Sequence, residues 1–448
     1  VTVDTLLEEV ALVPAAGNDE RTVRFGRVEG RARWRLIDDG WRFDAPVLRV
    51  GEGDARQVLD GLGVAGGRRF AVQAERIDIG PLLAVAAFSD RLSPALRDWL
   101  QRSRPQAVLR DIRVAGESGG ALRAHARIER AGFQALGDAP GISGLGGVID
   151  GDQSGFVLRL DENAPMRFDW PSGFGVVHTV KLAGDIAGWR DGAGWRVATG
   201  ALRLDGGSFA ADVRGGLGWQ GDGSRPRIDI AARLDDAAVP VAKGFWVHHR
   251  MPPAAVAWLD AALQGGTVRD GRAIISGDLD DWPFRDHQGL FEATARIEQG
   301  EIRFQPGWPA VEELDADVRF VAEGFDVSGR GRIAGVAISR IEAGIDRYVG
   351  GRLSVDADGD GDARRLLELL RQSPLDDSIG EHLASLQASG PARVGFALRL
   401  PMKKGSHTEI DGSVDVDGIK LSDSRWTWRS TRSAVAPATR AAASGPTA

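Results

Sequence analysis

The chain has 448 residues, 43% of them hydrophobic, with a formal charge of −7 and no cysteine. That hydrophobic share excludes wholesale disorder, the negative balance gives no global attraction to nucleic acid, and the absent cysteines exclude a disulfide framework or a thiolate site. The 60 glycines favour many turns over a helical bundle, and the single tyrosine argues against the aromatic girdles of an outer-membrane barrel.

Residues 1–20 are ambiguous, with Leu6, Leu7, Val10 and Val13 loosely helical in spacing before Pro14. Strands begin at Val23, and RARWRLIDDGWRFDAPVLRV (31–50) predicts a hairpin turning at Asp38-Asp39-Gly40. LSPALRDWL (92–100) predicts a helix. Leu122, Ala124, Ala126 and Ile128 then alternate with Arg123, His125, Arg127 and Glu129, and Phe156, Leu158 and Leu160 continue the pattern.

Pro252 and Pro253 suit the first positions of a helix, Val256, Leu259 and Leu263 form its apolar face, and Gly265-Gly266 are expected to stop it. After Asp281 the period becomes two: Phe291, Ala293, Ala295 and Ile297 oppose Glu292, Thr294, Arg296 and Glu298. Gln299-Gly300 is expected as a tight turn, EIRF continues the alternation, and PGWP interrupts it before strand resumes over Asp315 to Phe320. Helices are predicted at 363–375 and near Ile379 to Leu386. A strand follows in which Val394, Phe396, Leu398 and Leu400 alternate with Arg393, Gly395, Ala397 and Arg399. From about Thr431 the Ala/Ser/Pro/Thr/Arg-rich tail is expected to be disordered.

Three landmarks recur in order. Trp41-Arg42 matches Trp195-Arg196, LSPALRDWL matches MPPAAVAWL (251–259), and ARIE at 126–129 matches ARIE at 295–298, each ARIE being followed by Pro-Gly (Pro140-Gly141, Pro306-Gly307). Spacings of about 154 to 169 residues predict a duplicated unit, each a β-layer carrying one helix. The expected units are 1–160 with a helix near 92–102, 161–350 with a helix near 252–264, a partial third over 351–430 with helices near 363–386, and the tail 431–448.

Signs of chemistry are few. His248-His249 read as a surface pair, and no HExxH, GxSxG or phosphate-binding loop occurs. Asp356 to Asp362 carries acidic residues at alternate positions like the opening of a calcium loop, but the twelfth position is Leu367 where a bidentate Glu is required. A Gly-rich turn with Asp362 capping the next helix is the stronger reading. Trp282-Pro283-Phe284 and Gly307-Trp308-Pro309 are expected to pack strand-to-loop corners. No catalytic residue, metal or cofactor is expected, and no nucleic-acid partner. The apolar alternation fits either a closed sandwich core or a sheet curled into an open trough filled by ligand.

Four segments carry a resemblance: PGISGLGGVIDGDQSGFVLRL (140–160), WLDAALQGG leading to ISGDLDDWPF (258–284), FQPGWPAVEELDADVRF (304–320) and LLELLRQSPL (366–375). Their order is similar to that in YhdP-type proteins, the large AsmA-like proteins of Gram-negative envelopes, best from about residue 90 to 420. The resemblance implies a mainly β fold, an elongated, twisted β-groove of repeating β-layer units with a few short α-helices. It implies a periplasmic, non-enzymatic protein that carries phospholipid from inner towards outer membrane, with envelope proteins as further partners. Family members begin with a membrane-spanning segment. No run of about 18 apolar residues or leader occurs here, so the chain is expected to be an internal portion whose inner-membrane anchor lies in a part absent from it. On this reading Phe291, Ile297, Phe304, Val318, Phe320, Val394, Phe396 and Leu398 line the groove. The helix faces of Trp99, Leu100, Trp258 and Leu259 pack outside the sheet or plug a unit junction. The alternative is a structural scaffold of the envelope with a closed core and no lipid.

Overall fold

The computed structural model describes residues 1–13, 22–38, 40–51, 56–89, 92–286, 288–348, 350–373, 384–401, 407, 409–416, 418–423 and 426–430. The chain is mainly β and falls into two units. One holds Val1–Gly207, Asp212–Pro226 and Val247–Arg250; the other holds Ser208–Ala211, Arg227–Trp246 and the residues from Met251 on.

The first unit runs β1 (Thr2–Leu12), β2 (Val23–Ile37), β3 (Gly40–Gly51), β4 (Arg56–Gly67), β5 (Arg69–Asp78), α1 (Ile79–Ala86), α2 (Pro94–Ser103), β6 (Gln106–Glu117), β7 (Leu122–Phe133) and β8 (Gly141–Asp152). It continues with β9 (Gly155–Leu160), β10 (Pro165–Asp169), β11 (Val177–Asp191), β12 (Gly194–Asp205) and β13 (Ala210–Trp219). Strands β1 to β8 pair antiparallel in sequence order, and β9 and β10 share the place between β8 and β11. The hairpin predicted at 38–40 is present, with Ile37 opposite Gly40. Residues 2–12 are a strand, not a helix: its carboxylates lie against the arginine-rich β2, with Asp4 opposite Arg31 and Glu8 opposite Arg27. Helix α1 was not foreseen, because IGPLLAVA has no polar face to reveal a period. Ser93 caps α2, its side chain accepting from the Leu96 amide.

The second unit runs β14 (Arg227–Leu234), β15 (Ala237–Ala238), a 3₁₀ segment (Val239–Phe245), α3 (Pro253–Ala262), β16 (Leu263–Asp278), β17 (Leu290–Ile302), β18 (Val311–Val321), β19 (Gly324–Ile333), β20 (Val336–Ile345) and β21 (Arg352–Asp362). Then come α4 (Ala363–Arg371), β22 (Leu386–Ser389), β23 (Pro391–Pro401), β24 (Glu409–Val416), β25 (Lys420–Asp423) and β26 (Trp426–Ser430). β14 and β16 to β21, then β23 and β24, form one antiparallel meander; β22, β25 and β26 form a small separate sheet. Direction alternates from strand to strand, so β15 and β21 end at the same rim, and α3 and α4 both spring from it.

Two expectations are corrected here. Gly265-Gly266 do not stop α3: the helix ends at Ala262 and strand begins at once, with Gly266 inside it at φ +106, where an added Cβ would lie 2.6 Å from Gly300 Cα. Gln299-Gly300 is not a turn but a β-bulge within β17, with Gln299 at φ +51. The second predicted helix near 379–386 lies outside the described residues up to 383, and Leu386 opens a strand. Pro14, residues 374–375 of the first predicted helix there and the tail 431–448 also lie outside them.

The repeat landmarks occupy matching places. Each helix, α2 or α3, leads into a strand (β6, β16) and then into the ARIE strand (β7, β17). The Gln134 amide donates to Ser103 O at 2.7 Å, and the Arg303 amide to Ala262 O at 2.9 Å. Matching bulges also recur. Asp111 in β6 (φ +53) and Asp270 in β16 (φ +49) each follow an arginine, and the ARIE strand shifts register twice against the strand after it, at 128/131 and 131/133 between β7 and β8 and at 297/300 and 300/302 between β17 and β18.

Candidate functional site

Directly opposed residues of an antiparallel ladder share a face. Following the registers across the second unit puts Ile230, Ile275, Phe291, Ala293, Phe320, Phe325, Ile345, Leu353, Leu400 and their alternate neighbours on one face. Val318 lies opposite Ala295 and Val327, Leu398 opposite Val355 and Ile410, and Phe396 opposite Ala357. The other face carries charge. Arg319 donates to Glu292 at 2.9 Å, Arg340 to Asp358 at 2.8 Å and Arg399 to Asp356 at 2.7 Å, while Arg393 lies 3.4 Å from Asp360. The sheet of this unit therefore has an oily side and a side that carries ion pairs.

The suspected calcium loop is part of this polar side. Asp356, Asp358 and Asp360 are strand side chains matched to arginines, while Asp362 caps α4 by accepting from the Arg364 and Gly390 amides at 2.9 and 3.1 Å. Those two amides hold the Asp362 carboxyl below the usual carboxylate range. The capping expectation holds; the turn is a strand.

The oily side divides in two. Near the helix-bearing rim, Ile333, Val336, Ala392 and the α4 residues Ala363, Leu366 and Leu367 form a sealed cluster, with Val336 at 0% exposure. Phe304, which lies just past the end of β17, and Val394 pack against that cluster. Away from the rim, Phe291, Ile297, Val318, Phe396 and Leu398 are half-buried, and Phe320 and Ile410 stand 40% and 39% exposed. A second packed layer would have nearly sealed them from solvent. Six of the eight predicted lining residues thus share an open stretch of one face, and two sit at its covered end.

The aromatic corners pack as expected. Phe284 is buried under Trp282, which also stacks edge-on against Phe291 with centroids 5.4 Å apart. Trp308 lies 5.4 Å from Phe304, whose carbonyl accepts from Trp258 Nε1 at 2.7 Å. Trp99 packs on Phe133, and Leu100 is buried. His248 and His249 are both exposed.

In the first unit the same logic holds: Ala126, Ile149, Leu158 and Ile186 line up across β7, β8, β9 and β11, while His125, Asp150 and Arg159 join on the other face. Sequence reasoning missed the face members on β14, β19 and β20. On β20 a bulge between Ile338 and Ile341 shifts the alternation by one residue, which hides the period. Among the described residues, no helix is long and apolar enough to cross a membrane.

A model of the YhdP protein family matches residues 1–429. The chain belongs to the YhdP family. The YhdP match starts at residue 1, well before the motifs that carry the likeness to the eye. The Intermembrane phospholipid transporter YhdP of Escherichia coli (strain K12) is 23% identical over 386 residues, which cover 81% of this chain and 30% of that protein. The chain thus spans under a third of the length of this YhdP relative. No solved structure matches it.

Proposed function

We propose that this chain is a segment of a periplasmic trough that shields phospholipid acyl chains on their way between inner and outer membrane. The observation that carries the reading is the apolar face running from strand to strand across the second unit, whose side chains away from α4 stay half-buried or exposed among the described residues. The E. coli relative's name as an intermembrane phospholipid transporter supplies the cargo class. The half-exposed side chains speak against a closed scaffold core.

The physics requires such a surface. Exposing a 16-carbon acyl chain to water costs about 0.8 kcal/mol per methylene, on the order of 13 kcal/mol per chain. A floor of Phe, Ile, Val and Leu side chains removes most of that penalty, and because dispersion contacts are undirected a chain slides along it without meeting a deep well. Phe291, Ile297, Val318, Phe320, Phe396 and Leu398 contact the acyl chains on this reading, and Phe304 and Val394 mark the margin of the floor. The repeating units 1–160, 161–350 and 351–430 each contribute a stretch of trough. An inner-membrane tether from another part of the protein and envelope proteins at the ends complete the route. No catalytic step belongs to this function.

The test is mass spectrometry of lipid extracted from the purified chain. Phospholipid is expected in the wild type and depleted in Phe396→Asp. A folded wild type that carries no phospholipid and takes none up from vesicles would overturn the reading.

A further inference from the structure

The two units share one polar device that the apolar floor does not explain. In β6, Arg110 precedes the bulged Asp111 and its Nε donates to Glu129 Oε2 at 2.6 Å; in β16, Arg269 precedes the bulged Asp270 and its Nε donates to Glu298 Oε2 at 3.1 Å. Glu129 and Glu298 are the last residues of the two ARIE motifs, and each sits at the register shift of the next strand. Each clamp therefore ties one bulge to the bulge beside it.

The clamps stand where charge alone would push the strands apart. Arg110 lies directly opposite Arg127, and Arg269 directly opposite Arg296, like-charged cross-strand pairs that destabilise a ladder. Arg127 has Asp111 at 3.8 Å and Arg296 has Glu298 at 3.9 Å, so the carboxylates at the bulges offset both arginines. Arg269 is also paired with Asp236.

In the second unit the bulges continue on β18 and β20 and form a crease across successive strands. On the far side of it from the helices lie Phe291, Val318 and Phe320, half-buried or exposed; on the helix side lie Leu314, Ile333 and Val336, buried. A bulge bends its strand and sharpens its twist. Resting on the lipid-carrying reading above, we propose that Arg110–Glu129 and Arg269–Glu298 are positioning residues, which hold the crease bent from the polar side and so keep the open panel shaped to receive acyl chains.

The experiment uses the full chain and reads phospholipid bound per protein after incubation with phosphatidylethanolamine/phosphatidylglycerol vesicles, alongside thermal melting and hydrogen exchange. Glu298→Gln removes the clamp and leaves Arg269 facing Arg296. It is expected to lower bound lipid about two- to fivefold, the scale of one exposed ion pair, while the melting temperature moves by no more than about 2 °C. Exchange should quicken at residues 268–271 and 297–300. Adding Arg296→Gln relieves the repulsion and is expected to restore most of the bound lipid. Wild-type lipid content in Glu298→Gln overturns the proposal, as does a loss that tracks a lower melting temperature and persists in the double variant. A wild type without lipid overturns this proposal and the lipid-carrying reading together; a loaded wild type with an indifferent Glu298→Gln overturns this one alone.

Discussion

Phe320→Asp puts a charge into the open panel of the apolar face. Phe320 is 40% exposed on the apolar face, between Ala293 and Phe325 on the neighbouring strands. A phenylalanine presents about 200 Å², so about 80 Å² faces the open side, and covering it with an acyl chain is worth about 2 kcal/mol at 25 cal/mol per Å². Losing that contact weakens lipid association about 30-fold, before any cost of desolvating the new carboxylate is added. The matched control is Thr294→Asp, which places the same charge on the polar face opposite Arg319. Phospholipid bound per protein, measured by lipid phosphorus after vesicle incubation, should collapse in Phe320→Asp and stay at wild-type level in Thr294→Asp. Equal binding by both variants, or equal loss from both, would falsify the assignment of faces.

Leu366→Ala empties part of the sealed cluster under α4 and should cost about 2–4 kcal/mol in urea unfolding, whereas Leu398→Ala on the open panel should cost only about 1 kcal/mol. Gly266→Ala forces a side chain into a positive φ against the Gly300 backbone and should destabilise by about 1–3 kcal/mol in the same assay. The Asp362 carboxyl has a lowered folded pKa, so its hold on α4 is complete above the ordinary aspartate value and fades as pH falls through the lower folded one. Protection of the α4 amides, corrected for the intrinsic pH dependence of exchange, should therefore fall in acid, and Asp362→Asn should flatten that dependence.

Much of this was legible because a half-buried sheet writes itself in period two. ARIE, DVRF and ARVGFALRL each gave the right face, since Arg and Asp cannot share a side with Phe and Val without an energetic penalty. What stayed hidden depended on partners distant in sequence. TVDTLLEEVAL has helical spacing, yet it is a strand whose carboxylates face arginines on the neighbouring one. Gln299-Gly300 and Gly265-Gly266 look like punctuation, because residues that tolerate positive φ serve bulges and turns alike. The aspartates from 356 to 360 read as a Gly-rich turn, because the arginines that pair with them in a strand lie well away in sequence on two other strands. Which part of the oily face stays open was not written locally at all, since it depends on where α4 comes to rest.

The count of strands between insertions has a consequence of its own. Six strands, β16 to β21, separate α3 from α4, and an even number returns the polypeptide to the lip it left. Had the number been odd, the second helix would have roofed the opposite lip, pinching the slot from both sides. Both insertions on one lip leave the opposite lip of this unit clear of them.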